Sequence, residues 1–239
     1  MSWRKGVCKM RSVNFKIVID IMLITALLLS MAYLLIGIDN HEIVGTVFFL
    51  LFIVHIILNR RWFSSIFKGK YSAVRILRTG INLMSVVMMA GLIISGLIFA
   101  TYTPSFIKTA GSIDMARQLH MITSYWSFVL LSVHLGMNLS VVSNAVKANY
   151  IFKEFFRLIG IVLACYGVYA FMKHDLLMYM FLQQEFVFFD TKQPLALFFA
   201  DYISIMCFGG IIGYSIMRLS AKLNICRMNR QMKTKEEVN

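Results

Sequence analysis

Charge is scarce along this chain. Only 15% of its 239 residues are Asp, Glu, Lys or Arg, against 59% hydrophobic ones, and the mean hydropathy is +0.73. A soluble domain carries about 25% charged residues, so that class is excluded and an integral membrane protein is expected. Acidic residues are rarer still, 11 against 24 Lys and Arg, for a formal net charge of +13. Such an excess suits nucleic acid as well as a membrane surface, and only the placement of the charges separates the two. Proline occurs twice, at Pro104 and Pro194, both in expected loops, so nothing forbids long helices. The four cysteines, Cys8, Cys165, Cys207 and Cys226, form neither C-x-x-C nor C-x-x-C-H, which excludes a thiolate metal site and a covalently attached c-type haem. No G-x-G-x-x-G occurs either, which excludes a fused NAD(P)H dehydrogenase domain.

What the chain does have is long apolar runs. Six are long enough to span a bilayer: residues 17–36, 41–59, 81–101, 119–141, 151–172 and 195–219. The first lacks the short core and small-residue cleavage site of a signal peptide, so it reads as a retained span. Lys and Arg alternate between the connecting segments, with 20 on one side and 4 on the other. The positive-inside rule then puts both termini in the cytoplasm and the protein in the cytoplasmic membrane as a multi-pass bundle. The basic balance therefore marks topology against the lipid bilayer, and no nucleic-acid partner is expected. The organisation expected is a basic N-terminus over 1–16, a four-helix domain over 17–141, two further spans with an outer interfacial segment over 142–219, and a basic cytoplasmic tail over 220–239.

Four of the five histidines fall in two stretches of identical spacing, HEIVGTVFFLLFIVH from His41 to His55 and HMITSYWSFVLLSVH from His120 to His134. Fourteen steps of about 100° close to within about 40° of four turns, so both histidines of a pair share one helix face, roughly 21 Å apart along the axis. That sets one near each edge of a hydrocarbon core about 30 Å thick. The separation is too wide for one zinc ion, whose ligands converge at about 2 Å. It suits two haems stacked across the membrane, each taking one imidazole from each helix. With six spans the two carrier helices run parallel, which pairs His41 with His120 near the outer face and His55 with His134 near the inner face. Intramembrane histidines are costly unless employed, so a ligand role for all four is the default expectation.

Aligned over 19 residues, the two carriers agree at seven positions, including Asn59 and Asn138, which hints at a repeat of two-helix hairpins. The histidine-bearing faces read His41, Gly45, Phe48, Phe52, His55 and His120, Ser124, Ser127, Leu131, His134. Gly45 and Ser124, one turn inward of the outer histidines, either make room for a porphyrin edge or let helices approach closely. For Phe48 and Phe52 plain packing is the expected role. Asn59, Arg60, Arg61 and Asn138 at the inner edge and Arg117 at the outer edge are candidates to meet haem propionates, with lipid headgroups the competing reading for the arginines.

Other polar residues read more plainly. Asp20, one turn inside the first span, is expected to snorkel to the inner interface, with proton handling for a quinone as the alternative. His174, between Lys173 and Asp175, is expected to be solvated. Gly91 with Ser95, and Gly209 with Gly213, make small-xxx-small steps that mark helix contacts. Residues 176–189 are too short and interrupted to span and are expected along the outer surface.

At HEIVGTVFFLLFIVHIILNRRWF together with the second H-x13-H, residues 15–141 resemble the flavinylation-associated cytochrome family. The paired pattern is also similar to the two-haem core of respiratory cytochrome b and, more distantly, of ferric-reductase membrane domains. The resemblance implies an all-α bundle with a four-helix core holding two haem b on His41, His55, His120 and His134. It also implies transmembrane electron transfer from a quinol or cytoplasmic donor toward extracytosolic flavoproteins that carry covalent flavin. No Thr-Gly-Ala-Thr or Thr-Gly-Ala-Ser occurs, so the flavin partner is expected to be a separate chain. The expectation is an electron conduit, or a subunit of a membrane oxidoreductase should quinol be oxidised at one face. The rival is a proton-coupled transporter or assembly factor in which the histidines relay protons.

Overall fold

The computed structural model describes residues 2–69, 71–100, 113–145, 150–184, 187 and 193–238, all of them helix, turn or irregular chain. The helices are α1 (Ser2–Met31), α2 (Tyr33–Ile36), α3 (Ile38–Leu58), α4 (Arg60–Ile66), α5 (Ala73–Phe99), α6 (Ile113–Ala145), α7 (Tyr150–Lys173), α8 (Leu176–Met180) and α9 (Leu195–Val238). The protein is thus an all-α bundle. Four described segments, Ile38–Leu58, Ala73–Ile98, Glu154–Lys173 and Leu195–Ser220, are long and apolar enough to cross a membrane. Large apolar side chains stand exposed along them, among them Ile43, Leu50 and Ile57 on α3, Val87 and Ile94 on α5, and Val162 and Tyr169 on α7. Helices sheathed this way match a lipid solvent better than water.

The chain forms two compact units, one carrying α1 to α4 and the other α5 to α8 with α9 from Phe199 onward. In the first, α1 packs along α3, and Ile19, Ala26 and Leu27 of α1 and Phe48 of α3 are buried. The run expected as one span over 17–36 breaks at Ala32, whose N–H bonds to the Leu29 carbonyl at 3.1 Å in a tighter turn. Gly37 then ends α2 and opens α3 at φ 86°, a left-handed backbone that a side chain resists. One residue thereby turns the chain straight into the histidine helix.

In the second unit α5 lies along α6 and α9 meets α6 through glycines. A Cβ on Gly91 would stand 2.8 Å from the Thr123 side chain, and one on Gly209 2.7 Å from Ser132 Cβ. Both small-residue steps read from the sequence are therefore contacts. A Cβ on Gly136 would collide with the Gly210 carbonyl, and one on Gly213 with the Val133 carbonyl. Neither obstacle is a side chain that can rotate away. Gly136→Ala is therefore expected to lower stability by about 1–3 kcal/mol, seen as an earlier melt of the detergent-solubilised protein. Gly210→Ala, whose nearest contact is 3.8 Å, should melt no earlier than the parent.

Four helices run well beyond the apolar segments that announced them. α1 begins at Ser2 instead of 17, α5 at Ala73 instead of 81, α6 at Ile113 instead of 119, and α9 continues to Val238. Hydropathy marks only the portion that suits lipid, whereas backbone hydrogen bonding continues until a breaker intervenes. The stretch over 220–238 is accordingly a continuation of α9. Of residues 176–189, those over 176–184 and 187 are described. Leu176, Tyr179 and Met180 on α8 are buried, with Tyr179 stacked on Tyr125 at 4.9 Å and the Trp126 indole donating to the Met180 carbonyl at 3.0 Å. Leu177 and Phe181 stay exposed. Pro104 lies outside the described residues.

Candidate functional site

Each histidine pair sits on one unbroken helix, His41 and His55 on α3, His120 and His134 on α6. What the sequence did not reveal is that an earlier helix of the same unit supplies an anchor for three of the four imidazoles. In the first unit, Asp20 Oδ1 on α1 lies 2.8 Å from His55 Nδ1. In the second, Asn82 Oδ1 on α5 lies 2.8 Å from His134 Nδ1. The Ser95 hydroxyl, also on α5, lies 3.2 Å from His120 Nδ1. The His41 ring meets Tyr33 edge-on at 5.8 Å.

These partners set the tautomer. Asn82 presents a carbonyl oxygen, and an ionised Asp20 can only accept, so in both bonds Nδ1–H of the histidine donates. Ser95 Oγ has one proton, directed at the carbonyls of Gly91 (2.7 Å) and Leu92 (3.0 Å), so it too accepts from its histidine. The ring nitrogen that then carries the lone pair is Nε2. A carboxylate, carbonyl or hydroxyl on one ring nitrogen, fixing the other for a metal, is the usual support of a ligating imidazole.

Asn59 and Asn138 take equivalent places. Asn59 Nδ2 donates to the His55 carbonyl at 2.9 Å and lies 3.4 Å from His55 Nε2. Asn138 Nδ2 donates to the His134 carbonyl at 3.0 Å and lies 3.2 Å from His134 Nε2. An amide donor at Nε2 agrees with a lone pair there. Ligation of iron at Nε2 requires that amide to swing aside, at the cost of about one hydrogen bond, roughly 1 kcal/mol. Lys16 Nζ on α1 holds the other end of Asn59 at 3.2 Å from Oδ1.

The remaining candidates fall as follows. A Cβ on Gly45 would meet nothing within 4 Å, so that position is open, while Phe48 is packed in the core of its unit. The Ser124 hydroxyl bonds back to the His120 carbonyl on its own helix. Ser127 is fully buried, and its hydroxyl has no partner among the described residues. His120 packs its ring on Gly96, where a Cβ would stand 3.4 Å from Cε1. Arg117 makes a loose 3.8 Å pair with Asp114 on α6, and Arg61 is exposed on α4. Among the described residues no group of three or more His, Cys, Asp and Glu converges on a metal position.

Two expectations change. Asp20, half-exposed, has a partner that the sequence did not show: its Oδ1 lies 2.8 Å from His55 Nδ1. His174 is not solvated. Its Nε2 lies 2.8 Å from Asp201 Oδ2 on α9 and its side chain is 16% exposed. Lys173 Nζ reaches the same oxygen at 2.8 Å and the Tyr166 hydroxyl donates to Oδ1 at 2.7 Å. Asp201 itself is 1% exposed, so its charge is neutralised and hydrogen-bonded from α7 instead of by water.

No family model, no curated protein and no solved structure matches the chain.

Proposed function

We propose that the chain is a di-haem b-type membrane cytochrome that carries electrons across the bilayer. What supports the reading most is one observation: two helices each carry two histidines fourteen residues apart, and helix-borne acceptors hold His55, His120 and His134 by Nδ1. Histidines serving a proton relay need no common tautomer, whereas axial ligands need the same nitrogen presented every time. His41 with His120 would hold one haem and His55 with His134 the other, a pairing that rests on the spacing of the sequence. Gly45, open to solvent or ligand, fits a porphyrin edge beside His41. Iron held between two imidazoles exchanges single electrons and leaves no coordination position for a substrate.

The full reading has six spans, both termini cytoplasmic, in the cytoplasmic membrane. Electrons enter from a quinol or a cytoplasmic donor and leave to a separate extracytosolic flavoprotein, as in the flavinylation-associated cytochromes that residues 15–141 resemble. On this reading the protein is an electron-transfer protein or the membrane subunit of an oxidoreductase, and α7 to α9 lie outside the haem-binding part.

The test is electron passage. Proteoliposomes with trapped ferricyanide, given an impermeant reductant outside, should bleach the ferricyanide far faster than empty liposomes. A rate equal to that of empty liposomes rejects the function.

A further inference from the structure

Each unit, taken by itself, sets a cation beside the second histidine of its carrier helix. In the first, Lys16 and Asp20 lie four residues apart on α1 and meet Asn59 and His55, four apart on α3. Lys16 Nζ donates to Asn59 Oδ1 at 3.2 Å, and Asp20 Oδ1 lies 2.8 Å from His55 Nδ1. In the second, Asn82 on α5 lies 2.8 Å from His134 Nδ1, and Asn138 follows His134 by one turn of α6. These two helices run antiparallel, since Ser95 meets His120 and Asn82 meets His134. Arg78, one turn before Asn82 on the same face, therefore falls level with Asn138, as Lys16 does with Asn59. Neither cation has a carboxylate partner among the described residues. What Lys16 meets is an amide oxygen, and the Arg78 Nε is buried with no hydrogen-bond acceptor. Both side chains are partly buried, where a positive charge is costly until an anion meets it.

We propose that Lys16 and Arg78 are the cations that receive haem propionates, Lys16 beside His55 in its unit and Arg78 beside His134 in the other. Resting on the di-haem reading, this names the partners of the carboxylate end of the ligand. Each cation stands one turn, about 6 Å along the axis, from the residue that anchors its histidine. Each also marks the edge of an apolar run, Lys16 next to Ile17 and Arg78 shortly before Ile81. A propionate must leave the hydrocarbon toward such an edge while its porphyrin stays at the imidazole. Asn59 and Asn138 add an amide donor at the same level, and the guanidinium of Arg78 can take a carboxylate with two parallel N–H bonds. Arg60 and Arg61, the arginines that the sequence suggested for this edge, are exposed on α4, where solvent screens them.

Binding of two porphyrins to the haem-free full chain in detergent, followed by the Soret band, tests this. Iron protoporphyrin IX carries both propionates, and its dimethyl ester keeps the ring and the iron without their charges. The parent should bind the acid form more tightly than the ester. Lys16→Gln and Arg78→Gln should each weaken the acid form about tenfold, the scale of one charge-assisted hydrogen bond, and leave the ester where it was. If the Gln variants fail to fold, Arg78→Lys decides: it keeps the charge but loses the planar fork, so the preference should fall by a smaller factor. A chain that takes up neither porphyrin overturns this inference together with the proposed function. Three results overturn the inference alone: a parent that binds acid and ester equally, folded Gln variants that keep the full preference, or, where only Arg78→Lys folds, a preference unchanged in it. Gln variants that keep the preference but lose co-purifying anionic lipid would give the two cations to headgroup phosphates instead.

Discussion

Replacing His120 with Ala is expected to leave the purified protein with about half its haem, read as Soret absorbance per polypeptide, because a haem that lost one of the two imidazoles proposed to hold it would be poorly retained. His41→Ala should do the same, and so should His55→Ala and His134→Ala. The doubles carry more information than the singles. His41→Ala combined with His120→Ala removes both ligands of one proposed haem, so it should lose no more than either single. His41→Ala combined with His55→Ala strips one ligand from each haem and should lose nearly all. If every double loses the same amount, the pairing by depth is wrong, and if a single loses none, that histidine is no ligand. Ser95→Ala is a milder probe of the same site. It leaves His120 on Gly96 but takes away the acceptor that sets its tautomer.

The second large effect lies away from the histidine pairs. Asp201→Ala should cost about 3–5 kcal/mol, the range for deleting one partner of a buried charge cluster. Its carboxylate holds Tyr166, Lys173 and His174 together, so three donors at the α7 end lose their acceptor at once. Lys173 is 38% exposed and can turn outward, whereas His174, at 16%, has less room to do so. Asp201→Asn keeps an oxygen for Tyr166 and should fall between parent and Ala. Thermal melts of the three proteins in one detergent give the order directly. An Asp201→Ala protein that melts with the parent would mean the cluster is ornamental to the packing of α7 on α9.

These two predictions draw on parts of the chain that were unequally legible. Hydropathy exposes α3 and α7 almost to the residue, because lipid demands an unbroken apolar helix of a given length. The histidine spacing was legible for the same reason: a helix has a fixed pitch, so fourteen residues imply one face whatever surrounds it. The anchors were not. Asp20 and His55 are 35 residues apart, Asn82 and His134 are 52 apart, and which residues meet depends on how two helices slide against one another, which no periodicity encodes. A signal was present all the same. Asn82 and Ser95 are among the few polar residues in the apolar part of α5, and such residues need partners, so a histidine opposite them could have been sought. His174 misled through its neighbours: beside Lys173 and Asp175 in sequence it reads as surface, but the carboxylate it meets is on α9. The break at Ala32 was hidden too, since an apolar run gives no sign of where its backbone tightens.

The presence of haem in the protein is the claim on which the rest stands. The full chain purified from a membrane fraction, with haem measured as its pyridine complex against protein by amino-acid analysis, should hold two haem b per polypeptide, low-spin in both redox states. A colourless polypeptide with no iron porphyrin, obtained folded and from cells supplied with haem, would contradict it.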